Sequence, residues 1–290
     1  MKIKKGIILA GGTGSRLYPL TIAANKQFLP LYDKPVIYYP LSVLMLAGIQ
    51  DILFISSRQD LPALQSLFKD GSHFGMKFSY RVQESPRGLP EAFIIGEDFI
   101  NKQPVAMILG DNFFHGHGLS EIVRGTAQNL RGAQIFAYKV EDPSRYGIVE
   151  LDAEDHIKTI EEKPKNALSN LAITGLYYFD GNVSEHAKKL SPSPRGELEI
   201  IDLIKSYHAQ ATLDLYELGR GYVWLDVGTS DSLLGASNYV EVVQSRQGVL
   251  IASPEEIAYN LGFIDKFQLN NLIKALPPCR YRQILQKLML

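Results

Sequence analysis

The chain has 290 residues, with 30 Lys and Arg against 31 Asp and Glu for a formal net charge of -1, and one cysteine, Cys279. Near-neutral charge without a basic block argues against nucleic acid or an anionic membrane surface as the chief partner, and no apolar run reaches the roughly 18 residues of a membrane span. Arg16 and the early glycines interrupt the N-terminal stretch before it could serve as a signal peptide. A lone cysteine forms no internal disulfide, which fits a reducing cytoplasm, and the six scattered histidines make no zinc set.

In chain order, Ile7-Ile8-Leu9-Ala10 reads as a buried strand of a parallel sheet. It breaks into Gly11, Gly12 and Gly14, a loop whose glycines permit positive φ and whose N–H groups favour phosphate oxygens. Arg16 and Lys26 add two positive charges, although glycine turns after strands also occur for purely structural reasons. A P-loop is excluded because Ser15-Arg16 follows Gly14 where Lys-Ser/Thr is required. A dinucleotide fingerprint is excluded because Leu17 stands where its third glycine belongs.

Leu17 to Pro30 reads as turn and short helix. A helix follows from Val36 to Ala47, introduced by Pro35 and ended by Gly48. The pattern then predicts a strand at Asp51–Ser56, a helix over 60–69, a strand at Lys77–Val82, a helix from Leu89 to Phe99 and a strand at Val105–Leu109. Such alternation makes βαβ units and an open sheet with helices on both faces. After a helix between Gly118 and Arg131 and a strand at Ala133–Val140, the texture changes. Gly147–Leu151 and Ile157–Ile160 suggest a small antiparallel pair, Ala172–Phe179 another strand, 182–208 a broken helical stretch, and 212–218 with 222–225 two more strands. From Ser232 onward the tail is helical, with pieces through Gln244, over Glu255–Leu261 and over Ile284–Leu288, and it either covers the sheet or builds a subunit interface. The expected fold is a single α/β unit: a Rossmann-like, mostly parallel mixed sheet flanked by helices, with a small antiparallel addition and a helical C-terminal appendix.

In an open α/β sheet the ligand lies beyond the carboxyl ends of the strands. That rule collects Gly11 to Arg16, Gln83 with Pro86-Arg87-Gly88, Asp111 with Asn112, and Asp226 into one site. A carboxylate at the end of the buried run Val105–Gly110 must be solvated, paired or on a metal, so Asp111 reads as a metal ligand or as a turn cap. Asp226 reads as a second oxygen ligand of a Mg²⁺ site or as the N-cap of a helix beginning near Thr229. Lys163 precedes Pro164, which predicts an extended backbone, and Ile173-Thr174-Gly175 is a polar break in an apolar strand that marks a bulge or a close ligand approach.

The runs GIILAGGTGSRLYPLT, KQFLPLYDKPVIYYPLSVLMLAGI, GDNFFHGHG, RYGIVE, IEEKPK, SNLAITGLYYFD, RGELEI and GRGYVWLDVGTSDSLL closely resemble the glucose-1-phosphate thymidylyltransferases (dTDP-glucose pyrophosphorylases), the short-form sugar nucleotidyltransferases. The resemblance extends from Lys5 to about Tyr259. It implies transfer of a deoxythymidylyl group from dTTP to α-D-glucose 1-phosphate with Mg²⁺. It places Leu9, Gly11, Gly12, Gly14, Ser15 and Arg16 on the nucleotide, Lys26 against the reacting phosphates, and Gln27, Gln83, Pro86 and Gly88 at the base. Asp111 and Asp226 take the metal, while Asn112, Tyr146, Gly147, Glu162, Ile173 and Thr174 line the sugar pocket. Lys163 and Arg195 take the sugar's phosphate. It further implies a nucleotide-binding half over 1–115, a sugar-phosphate half over 116–230 and an appendix over 231–290. A homo-oligomer, commonly a tetramer, and feedback inhibition by a dTDP-sugar also follow from it.

The chain departs from the usual wording of that family at Glu84, Arg87, Pro90 and Glu91, which flank the base positions, at Val227 in place of threonine, and at His115. The implied chemistry is in-line attack of a phosphate that is already anionic, so no general base is needed, in keeping with the absence of any Ser/His/Asp or Cys/His assembly. The alternatives are the same reaction with UTP or another sugar 1-phosphate, and a nucleotide-sugar-binding regulator without turnover.

Overall fold

The computed structural model describes residues 1–12 and 14–289, so Thr13, inside the glycine-rich run, and Leu290 lie outside the described residues. Strand β1 (Lys5–Ala10) leads through 3₁₀ turns at Ser15–Leu17, Leu20–Ile22 and Lys26–Phe28 to a hairpin of β2 (Pro30–Leu31) and β3 (Lys34–Pro35), and then to α1 (Tyr38–Leu46). Next come β4 (Asp51–Ser56), α2 (Leu61–Phe68), β5 (Lys77–Val82), α3 (Glu91–Ile95), α4 (Glu97–Ile100), β6 (Val105–Leu109), β7 (Asn112–Gly116) and α5 (Leu119–Gln128). The second half runs β8 (Ala133–Lys139), β9 (Gly147–Leu151), β10 (Ile157–Glu162), β11 (Leu171–Phe179), α6 (Val183–Lys188), α7 (Ile200–His208), β12 (Leu213–Leu218) and β13 (Tyr222–Asp226). Four helices close the chain: α8 (Ser230–Gln247), α9 (Pro254–Asn260), α10 (Lys266–Ala275) and α11 (Arg280–Lys287).

Among the described residues nine strands form one mixed sheet. β1 pairs in parallel with β4 and β6, and β4 with β5, so the carboxyl ends of these strands open on one edge. β11 runs antiparallel to all its partners. One of its edges carries β8, and the other is shared between β6 at Leu176–Phe179 and β9 at Leu171–Ala172. The register of β11 shifts between Ile173 and Tyr177, so the Thr174-Gly175 break is a bulge, and it turns the strand from one partner to the next. The pair β9–β10 is the antiparallel addition.

Both faces of the sheet are covered, which is why its central strands are continuously apolar. Ile8 of β1 packs with Phe54 and Ile108 in one core beneath α1 and α2, while its neighbour Ile7 packs with Leu53 and Met107 in the other, against Phe93, Val183 and Leu203. A third cluster joins Leu31, Val36 and Phe113 to Ala236 and Val240 of α8 and to Ile251, so part of the helical tail covers the flank of the fold.

Three expectations change. The stretch Leu89–Phe99 is two short helices broken at Gly96, where a Cβ would lie 2.9 Å from Ala92 O and 3.2 Å from side-chain atoms of Ile7 and Leu53, so the turn is pressed onto the sheet. The first long helix begins at Tyr38, two residues beyond Val36, because Lys34–Pro35 pairs with Pro30–Leu31. Strand β7 had no counterpart in the periodicity reading; it pairs antiparallel with β13 as a separate ribbon. Among the described residues no helix is long and apolar enough to cross a membrane.

Candidate active site

The carboxyl ends of β1, β5 and β6 open into a cavity of about 380 Å³. Leu9, Gly11, Gly12, Arg16, Lys26 and Asp111 line one part of it, Gln83, Pro86 and Gly88 a second, and Glu162, Lys163 and Arg195 a third. Gly14 and Ser15 lie on the loop outside this lining. Side chains of the following turns take the loop's carbonyls: Asn25 Nδ2 donates to Gly12 O (3.2 Å), Thr21 Oγ1 to Gly14 O (3.2 Å) and Gln27 Nε2 to Gly11 O (3.1 Å). Gly12 sits at φ 94° and a Cβ on it would lie 3.9 Å from Lys26 Nζ, so its lack of a side chain leaves the backbone open beside that charge. Gln27 is buried beneath the loop, and its Oε1 finds no partner among the described residues.

Lys26 Nζ forms an ion pair with Asp111 across the cavity floor. Burial alone would raise the Asp111 carboxyl, but the Lys26 ammonium beside it and hydrogen bonds from Lys26 and Asn112 prevail and hold it below its ordinary range. Asn112 is buried and hydrogen-bonded at both ends of its amide: Nδ2 donates to Asp111 Oδ1 (3.0 Å), and Oδ1 accepts from Gly175 N (3.1 Å) and Trp224 Nε1 (2.6 Å). A Cβ at position 175 would lie 2.6 Å from that Oδ1, so the bulge glycine is what admits Asn112.

Asp226 stands opposite Asn112 in the β7–β13 ribbon, and Val227 N donates to Asp111 O (2.9 Å), which brings the two acidic strand ends side by side. The Asp226 carboxylate does not itself line the cavity; it accepts from Arg145 Nη2 (3.0 Å) and Tyr146 OH (2.9 Å). Burial, with Asp226 as neighbour, pushes the Tyr146 phenol up to about 12, so it stays a donor at neutral pH. A Cβ on Gly228 would lie 2.7 Å from Arg16 Nη2 and 3.6 Å from Asp226 Oδ2, so the Arg16 guanidinium reaches across to the end of β13. The N-cap of α8 is Thr229, in a reciprocal capping box with Ser232, and Asp226 has no such task. Val227 is buried in the third apolar cluster, where a methyl suits its surroundings.

On the third wall Lys163 Nζ lies 3.0 Å from Glu162, and Arg195 pairs with Glu199 at 2.9 Å and Glu162 at 3.6 Å. The hydrogen bond and charge of Glu199 raise the Arg195 guanidinium further. The backbone of Lys163 is not extended: φ is 44°, in the left-handed region. Its N–H is spent on Tyr146 O (3.0 Å) at the end of the β9–β10 ladder, and the chain must leave the strand sharply towards Pro164, so tertiary pairing overrides the preference of a residue before proline. Gly147 lies against Ile201, Ile173 is buried, and Thr174 donates its hydroxyl to Phe136 O (2.9 Å), so these three shape the wall from behind.

Sequence reading missed Arg145, although it directly precedes Tyr146, and it missed Glu199, four residues beyond Arg195. It also gave Glu91 no task beside Gln83. Among the described residues no three His, Cys, Asp or Glu gather as a metal cluster. Two carboxylates on adjacent strand ends are the donor set that Mg²⁺ takes when substrate phosphates supply the remaining oxygens, so the residues present fit such an ion.

Residues 5–242 match the family model described as nucleotidyl transferase. A glucose-1-phosphate thymidylyltransferase of Xanthomonas campestris pv. campestris is 52% identical over 276 residues, 95% of this chain and 94% of its own. A Bacillus anthracis crystal structure assigned as a glucose-1-phosphate thymidylyltransferase and complexed with sucrose has TM-score 0.74 and 39% identity, covering 81% of this chain and 94% of that one. A UDP-glucose pyrophosphorylase complexed with UDP-glucose has TM-score 0.73 and 26% identity, covering 83% and 99%.

Proposed function

Because the chain belongs to the nucleotidyl transferase family and, within it, to the glucose-1-phosphate thymidylyltransferases, we infer that it transfers a deoxythymidylyl group from dTTP to α-D-glucose 1-phosphate, giving dTDP-glucose and pyrophosphate. One observation carries the reading: a single cavity is lined by the glycine loop, by four cationic side chains (Arg16, Lys26, Lys163 and Arg195) and by Leu9, Gln83, Pro86 and Gly88. The obstacle in this reaction is bringing two polyanions into line, and fixed charge in a partly enclosed site removes it.

In this reading Gly11, Gly12, Gly14, Ser15 and Arg16 hold the triphosphate, and Lys26 faces the reacting phosphates. Gln27 secures the loop at Gly11 O. Lys163 and Arg195 hold the phosphate of the sugar, whose oxygen attacks the α-phosphorus while pyrophosphate leaves on the far side. Asn112, Tyr146, Gly147, Glu162, Ile173 and Thr174 shape the sugar pocket. Asp111 and Asp226 would hold Mg²⁺, which when bound supplies charge neutralisation at the phosphate oxygens. Residues 1–115 serve mainly the nucleotide, 116–230 mainly the sugar phosphate, and 231–290 form the appendix.

Assembly as a homo-oligomer, a tetramer in our reading, feedback inhibition by a dTDP-sugar and a cytoplasmic location complete the proposal. The unpaired Cys279 accords with a reducing compartment, and Leu234 and Val242 of α8 expose apolar surface suited to a partner subunit. Among the solved structures the thymidylyltransferase is 39% identical and the UDP-glucose pyrophosphorylase 26%, which favours dTTP over UTP. A substrate panel tests the reading: pyrophosphate released with dTTP and glucose 1-phosphate in preference to UTP, dCTP or other sugar phosphates is expected. Tight nucleotide binding without pyrophosphate in Mg²⁺ would make the chain a regulator instead.

A further inference from the structure

We propose that Glu91 is the positioning residue that fixes which hydrogen-bonding face Gln83 shows to the nucleotide base, and so makes the site accept an imide base and refuse cytosine. The inference rests on the nucleotide reading of the cavity. Glu91 opens α3 and is 5% exposed. Its Oε2 accepts from Gln83 Nε2 (2.8 Å) and from the backbone N–H of Arg87 (3.3 Å), and its Oε1 accepts from Arg87 Nε (2.8 Å) and lies 2.7 Å from Arg87 Nη2. A carboxylate paired with a guanidinium offers acceptors only. Gln83 must therefore turn its amide NH₂ towards Glu91, and its Oε1 points the other way. There it would lie 2.9 Å from a Cβ on Gly11, within the cavity wall, and no donor reaches it among the described residues.

A fixed acceptor at that place selects by base chemistry. Thymine and uracil carry an N3–H that donates to Oε1, whereas N3 of cytosine is itself an acceptor and would face Oε1 lone pair to lone pair. Discrimination of thymine from uracil lies elsewhere. The departures at 87 and 91 act together: a glutamine alone at 91 would keep its carbonyl on the Arg87 guanidinium and turn its NH₂ to Gln83, which would force the Gln83 amide over and present a donor to the base. Aspartate at 87 beside glutamine at 91 would restore the acceptor, because the carboxylate would take the NH₂ and leave the carbonyl for Gln83.

The test is the ratio of kcat/KM for dTTP and dCTP, with glucose 1-phosphate and Mg²⁺, in the wild type, in Glu91→Gln and in Arg87→Asp/Glu91→Gln. The wild type is expected to favour dTTP by at least ~100-fold, Glu91→Gln to lower that ratio at least ~10-fold, and the double variant to recover it. A merely structural role would lower kcat/KM for both nucleotides alike, so an unchanged ratio in Glu91→Gln overturns the proposal. So does a wild type that uses dCTP as readily as dTTP, an outcome that needs no variant to fold. If the wild type turns over neither nucleotide, the reaction reading fails instead. Calorimetric binding of dTTP and dCTP to the same three proteins then decides the Glu91 question by the same ratio.

Discussion

Lys26 and Asp111, 85 residues apart in the chain, meet as an ion pair on the floor of the cavity and tie the loop after β1 to the end of β6. Each is the other's counter-charge where a nucleotide's phosphates would enter. In the proposed reaction Lys26 would bear on the developing transition-state charge, so Lys26→Ala should lower kcat/KM by roughly 100-fold or more, about 3 kcal/mol. Steady-state pyrophosphate release with the variant's melting curve checks this, and wild-type rates in Lys26→Ala would remove Lys26 from the reaction.

Asp111→Asn and Asp226→Asn keep shape while losing charge. Both are expected to fold and to need much higher Mg²⁺, with turnover down roughly 100-fold at ordinary Mg²⁺. The Arg145–Asp226 pair is more exposed than Lys26–Asp111, so the Asp226 variant should be the milder in stability. Full activity of either variant in a Mg²⁺ titration would remove that carboxylate from the metal site.

Position 163 separates strain from binding. Lys163 holds φ 44°, a conformation that costs a side-chain-bearing residue about 1 kcal/mol and glycine almost none. Lys163→Gly should therefore be more stable than Lys163→Ala by about 1 kcal/mol, while both variants raise KM for glucose 1-phosphate and leave that for dTTP unchanged. Denaturant titration and two-substrate kinetics read the two effects independently.

Gly88 holds φ 101°, and any Cβ there would collide with Leu198 O, where the base turn meets the segment before α7. Gly88→Ala should cost about 3 kcal/mol of stability or more and disturb the base slot, because strain and a backbone clash add. Equal melting temperatures for the variant and the wild type would contradict this.

Tyr146 gives a pH prediction. Its phenol is raised from about 10 to about 12 in the fold, so the folded state holds the proton more tightly than the unfolded one. The associated stability is present below pH 10 and is lost as pH rises towards 12. Tyr146→Phe should be less stable by about 1 kcal/mol at pH 7, through the lost hydrogen bond to Asp226, and the gap should close across that alkaline window. A constant gap would mean that the phenol titrates alike in both states.

The parallel strands were legible because burial on both faces leaves runs such as Ile7–Ala10 and Val105–Leu109, and the glycine loop because its residues punctuate such a run. The rule that ligands sit beyond carboxyl ends then placed Arg16, Gln83 and Asp111 on one cavity, while the glycines of Gly11–Gly14 alone left loop and ligand site undecided. Less was legible where tertiary pairing decides. β7 forms because β13 is there to pair with it, and Lys163 turns left-handed because Tyr146 claims its N–H. The hydrogen bond between Glu91 and Gln83 depends on how α3 packs behind the β5 end, which no local spacing encodes.

The central claim is that one substrate displaces pyrophosphate from the other directly, with no covalent nucleotidyl-enzyme between them. The stereochemistry at the α-phosphorus tests it most directly, with an α-thio analogue of dTTP of known configuration and glucose 1-phosphate as acceptor. A single in-line displacement inverts that centre, and inversion is the predicted result. Retention would mean two displacements through a group on the protein, and would contradict a site that works by position and charge alone.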